Sequence, residues 1–139
     1  MDYSQFETGD ILLFHNVSNC KTCYRGVFSC ITDLIMCGTK SKYSHAAIII
    51  KDPQFTNPPR KGLYVLESSY ESFRDVEDNK YKFGVELEDF NKVINDASQH
   101  EVVYWRKLRC NRDALFYNKL NEIHKNVHDK KYDCFPIDW

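Results

Sequence analysis

The sequence predicts an α+β domain, an antiparallel sheet with helices packed on it. Three observations carry this. Five short runs rich in β-branched and aromatic residues read as strands. Two longer stretches place apolar residues at helical spacing. After the first helical stretch, four strand-like runs follow without a recognisable crossover helix, and strands joined in that way pair antiparallel.

Taken in order, Gly9-Asp10 is a turn that feeds a buried strand, Ile11-Leu12-Leu13-Phe14. Val27, Phe28, Ile31, Leu34 and Ile35 then recur at helical spacing and stop at Gly38, a residue suited to the left-handed position after a helix end. Strands are expected from Ser44 to Ile50, Leu63 to Ser68, Lys82 to Leu87 and Val102 to Leu108. Between the first two of these, the Pro-rich stretch from Asp52 to Gly62 is a loop. A second helix is expected to start at an Asn111 cap and to set Phe116, Leu120, Ile123 and Val127 on one face.

A chain of 139 residues is the size of one domain and can bury roughly two thirds of its unfolded surface. Nineteen basic against twenty acidic side chains leave a net charge of -1, which disfavours nucleic acid or an anionic membrane as partner. The N-terminal residues lack a basic start and an apolar run, and no apolar stretch is long enough to span a bilayer. The expectation is a soluble chain in the cytoplasm, or in a virion assembled there, with its six cysteines as free thiols.

His45 lies in Tyr43-Ser44-His45-Ala46-Ala47-Ile48-Ile49-Ile50, where alternation puts it on one face with Ala47 and Ile49. Glu67 shares a face with Leu63 and Val65 in the next strand. An antiparallel register with Ile50 opposite Gly62 would set His45 directly opposite Glu67, with Cβ atoms about 4.5–5.5 Å apart. A carboxylate that accepts one imidazole N–H fixes the tautomer and leaves the other nitrogen free to take a proton from a thiol. The plain alternative is a cross-strand hydrogen bond that satisfies a half-buried pair.

The ordered series Gly9-Asp10-Ile11-Leu12-Leu13-Phe14, Tyr43-Ser44-His45-Ala46-Ala47-Ile48 and Tyr64-Val65-Leu66-Glu67-Ser68 resembles the permuted NlpC/P60 (YiiX-like) group of papain-like proteins. Gly84-Val85-Glu86-Leu87, Val103-Tyr104-Trp105-Arg106-Lys107-Leu108 and Lys131-Tyr132-Asp133 continue the likeness over almost the whole chain. Asp75-Val76-Glu77-Asp78-Asn79 is similar to members from large DNA viruses. The resemblance implies a circularly permuted papain-like fold that hydrolyses or transfers acyl groups of peptides or lipids without a cofactor. In that fold His45 is the base, Glu67 the orienting residue, and the nucleophilic cysteine comes last in the chain.

Cys134 is the candidate in that position, but in the family the nucleophile opens a helix, where the partial positive charge of the N-terminus lowers the thiol pKa. Five residues follow Cys134, too few for that helix. The expectation is therefore a domain incomplete at its C-terminus, with the thiol outside this chain. The alternative is an inactive papain-like module kept for binding or assembly with protein partners, for example in a viral particle.

Cys20 and Cys23 form a C-x-x-C, but Cys30 and Cys37 are about two helical turns apart, ~10 Å, too far to complete one zinc site with them. His124 and His128 have helical metal-ligand spacing but lack the intervening Glu of the metalloprotease motif, which favours a solvated helix face. The charged run from Glu71 to Lys82 reads as a solvated loop, or a flap beside the substrate.

Overall fold

The computed structural model describes residues 3–16, 40–70 and 73–131. Five strands are present, β1 (Ile11–Asn16), β2 (His45–Lys51), β3 (Leu63–Tyr70), β4 (Phe83–Asp89) and β5 (Glu101–Arg106). Each pairs antiparallel with its neighbours in the order β4-β3-β2-β1-β5. The α+β class and all five strands thus match the sequence-based expectation, with ends shifted by one or two residues. The helix expected over 27–35, and the cysteines at 20, 23, 30 and 37, lie outside the described residues.

The connection between β4 and β5 departs from expectation. A helix, α1 (Phe90–Ala97), carries the chain from one edge strand of the sheet to the other. Asp89, the last residue of β4, is its N-cap and accepts hydrogen bonds from the N–H groups of Asn91 and Lys92 at 2.9 and 3.1 Å. Phe90, Val93 and Ala97 are buried against Phe6, Leu12, Phe14, Ala47, Ile49 and Val65. Burying a ring the size of Phe90 contributes about 2–3 kcal/mol, enough to hold a two-turn helix that would not form alone.

The opposite face of β2, β3 and β4 carries Ile50, Leu66 and Leu87, against which Phe55, Val76 and Leu120 pack. Leu120 belongs to α2 (Ala114–Val127), whose N-cap is Asp113 rather than Asn111; its carboxylate accepts from Phe116 N–H at 3.0 Å. The apolar face of α2 also differs from the expected one. Ile123 is 53% exposed, and His124 is turned inward.

The turn at Gly9-Asp10 is a structural junction. Asp10 is fully buried and accepts from Trp105 Nε1 at 2.9 Å, Leu108 N at 3.0 Å and Arg112 Nη2 at 2.8 Å. It ties the start of β1 to the end of β5 and to the approach to α2. After α2 the chain returns to the sheet, where Lys131 bridges Gly84 at the outer edge of β4 and Lys130 O accepts from Val85 N at 2.9 Å. Gly84 is required there, because a Cβ would stand 2.1 Å from the Lys130 carbonyl oxygen.

Candidate active site

Strand alternation determines which side chains meet on the α1 face. The β2–β3 register pairs Ile48 with Leu66 and Ile50 with Tyr64, two residues away from the expected alignment. Carried back along β2, it sets Ala47 beside Glu67 and Ser69 beside His45. His45 and Glu67 are therefore diagonal rather than opposed. A slip of two keeps both on the same face, and side chains of this length span a diagonal of about 7–8 Å. His45 Nε2–H donates to Glu67 Oε2 at 2.6 Å.

The imidazole retains 32% of its side-chain surface while the Glu67 side chain keeps 5%. Phe14, paired with His45 across β1 and β2, sets its ring centroid 5.3 Å from the imidazole at 43°. Burial works against a charged ring here, but the hydrogen bond and charge of Glu67, with the charge of Glu101, outweigh it and hold the His45 pKa above its ordinary value. With Nε2 committed to Glu67, Nδ1 is the nitrogen that can take a proton.

Two further carboxyls share this face. Glu86 lies directly opposite Glu67, and Glu88 lies opposite Val65. They are 1% and 0% exposed, and the Oε2 atom of each finds no hydrogen-bond donor among the described residues. Ser69 Oγ donates to Glu86 Oε1 at 2.5 Å and Phe73 N to Glu88 Oε1 at 2.9 Å.

Burial, reinforced by the charges of Glu67 and Glu86, pushes Glu88 up to about 9, so at neutral pH it is a neutral acid that donates to Glu67. Burial likewise raises Glu86, with Glu67 and Asp75 adding to the shift and the Ser69 hydrogen bond opposing it. Glu67 thus lies between an imidazole N–H and a carboxylic O–H. Locally, Glu86 and Glu88 carry no mark of burial, because carboxylates alternating with Val85 and Leu87 have the pattern of a strand with one face in water. The signal for them was that Glu67 needed same-face neighbours on the next strand.

The sequence-predicted base and orienting residue are therefore in contact, whereas Cys134 lies outside the described residues. Cys110 is the free cysteine among those described, and it is exposed. It follows Leu108, whose N–H reaches Asp10, four residues down β1 from the Phe14 that faces His45. That is the opposite end of the sheet, roughly 13 Å away at the rise of a strand. Cys110 cannot serve His45.

The charged run before β4 is solvated only in part, with Arg74, Asn79, Lys80 and Tyr81 exposed. Asp75 is 1% exposed, receives Lys82 Nζ at 2.9 Å and accepts from Leu87 N at 3.2 Å. His124, expected on a solvated face, is 6% exposed. Among the described residues no helix is long and apolar enough to cross a membrane.

No protein-family model, curated protein or solved structure matches this chain.

Proposed function

We propose that this chain supplies the base and orienting residue of a papain-like thiol hydrolase or acyltransferase of circularly permuted fold, acting on amide or ester bonds of a peptide or lipid. The observation that carries this reading is the 2.6 Å contact of His45 Nε2 with a nearly buried Glu67, made by a ring that stays partly open. A histidine held above its ordinary pKa suits the protonated partner of a thiolate, the resting state that such chemistry uses.

In the resting pair Nδ1 already holds the proton given up by the thiol, and in the reaction the thiolate sulfur attacks the acyl carbon. The imidazolium returns that proton to the leaving amine or alcohol as its bond to carbon breaks. Water, or an acyl acceptor, then releases the acyl group from sulfur with the same proton transfers in reverse order.

The thiol itself comes from Cys134 or from polypeptide outside this chain. One feature supports a contribution from the C-terminal side. Ser69 pairs with Gly84 and Gly84 bridges Lys131, so Lys131 lies at the sheet level of His45. The direct experiment compares the chain ending at Trp139 with a longer polypeptide from the same reading frame, using a chromogenic acyl ester and an alkylating thiol probe. Whichever form holds the thiol, the chain ending at Trp139 if it is Cys134 and the longer chain otherwise, is expected to turn over the ester, and His45→Ala to reduce that rate by about 10²-fold or more. Turnover unaffected by His45→Ala would refute the reading. Inertness of every form towards both probes would leave the fold as a binding or structural module.

A further inference from the structure

The sheet face opposite the dyad carries a second cluster of chemistry-bearing side chains. His124 and His128 lie one turn apart on α2, and the segment between β3 and β4 brings Glu77 to them. Glu77 Oε2 is 2.8 Å from His124 Nε2 and 3.5 Å from His128 Nε2, and each of the three residues offers one possible ligand atom within 4.8 Å of those of the other two. Two imidazole nitrogens and a carboxylate oxygen, each about 2.0–2.1 Å from a tetrahedral zinc ion, would stand about 3.3 Å apart. The two Glu77 distances bracket that spacing.

The surroundings hold these groups in place. Phe55 stacks on the His124 ring with centroids 3.9 Å apart and planes 25° apart, and the side chains of His124 and Glu77 are 7% and 13% exposed. Behind His128, Nδ1 is 3.0 Å from Asp129 Oδ2, and Asp129 is anchored by Lys82 Nζ at 2.6 Å. At this distance Asp129 can orient the His128 ring, and Nε2 is the nitrogen that lies toward the Glu77 carboxylate. An outer carboxylate that orients a ligating imidazole is the usual support of a metal-bound histidine.

We propose that Glu77, His124 and His128 form a site for a divalent transition metal of zinc type, with a fourth position open to water or another donor. The ion clamps the β3–β4 connection to α2, across the sheet from His45 and independently of the chemistry there. A merely structural ion pair between Glu77 and a protonated His124 is the competing account. It predicts no metal affinity.

The test uses the full chain in a non-thiol reductant, titrated with Zn²⁺ by calorimetry and with Co²⁺ by visible absorption. Wild type is expected to bind in the micromolar range or tighter, with the intense ligand-field bands of a tetrahedral ion and a rise in Tm. His128→Ala and Glu77→Gln are each expected to weaken Co²⁺ binding at these bands by about tenfold or more. His128 is half-buried, so its variant should fold, which circular dichroism checks. Because the chain has six cysteines, the Co²⁺ spectrum decides the ligand type even if a variant misfolds. Bands without thiolate-to-cobalt charge transfer support the site. No binding by wild type, bound cobalt showing only the thiolate signature, or equal affinity in wild type and two folded variants would overturn it.

Discussion

Replacing Glu88 by glutamine should make the protein more stable at alkaline pH, although it alters a fully buried residue. Glu88 is 0% exposed and its pKa is raised from the ordinary 4.5 to about 9, by burial first and then by the charges of Glu67 and Glu86. Between those values the folded state holds a proton that the unfolded state has released. Stability from this group is therefore fully present below the unfolded pKa and is lost as pH rises toward the folded one, by about 1.4 kcal/mol per pH unit. From about pH 6 to about pH 8 the loss is about 2.7 kcal/mol.

Glutamine cannot titrate, yet its Oε1 can still accept from Phe73 N and its amide can still donate to Glu67, so the variant should lack this slope. The assay is urea unfolding across that pH range in reductant, followed by tryptophan fluorescence, with wild type and variant compared at each pH. The gap in favour of the variant should widen by about 2.7 kcal/mol from the acid to the alkaline end, at unchanged m-value. Parallel curves would show that Glu88 does not hold a shifted proton. Its description as a carboxylic acid donating to Glu67 would then fail.

Other expectations follow from the same contacts. Glu67→Gln removes the main group holding the His45 pKa up and leaves burial to lower it, so the His45 ring signal in an NMR titration should move to a lower pKa. In wild type the stability from this pair is fully present below the ordinary histidine pKa and lost as pH rises through the raised one; an unmoved titration would contradict the contact. Asp10→Ala strips four part-buried donors, Arg112 among them, of a fully buried acceptor and should cost about 3–5 kcal/mol in urea unfolding, whereas a loss below about 1 kcal/mol would show the junction to be replaceable. Gly84→Ala sets a methyl group against the Lys130 carbonyl and should cost about 1–3 kcal/mol, with faster exchange of the Val85 amide proton that bonds it; a neutral effect would mean that the segment after α2 yields easily.

Much of the fold was legible because strand signals are local. Val, Ile and aromatic runs placed all five strands, and period-two alternation assigned His45 and Glu67 to one face. That assignment survived a register two residues from the expected one, since only an odd slip exchanges faces. α1 was legible too, in an Asp89 cap and in Phe90, Val93, Ile94 and Ala97 at helical spacing, but so short a segment between two strands reads as part of a connection. The inward turn of His124 was not legible. It depends on Phe55 and Glu77, 69 and 47 residues earlier in the chain.

By itself, then, the sequence determined the strand set, the coarse α+β class and the face shared by His45 and Glu67, because these follow from side-chain shape and a two-residue period. Only the tertiary structure decided that the pair meets along a diagonal, that Glu86 and Glu88 are buried beside it, and that Glu77 joins two histidines across the sheet. The physical reason is covering. Whether a charged side chain on a strand faces water or the interior depends on what packs over it. For β4 that cover comes from α1 on one face and α2 on the other, neither of them encoded in the strand itself.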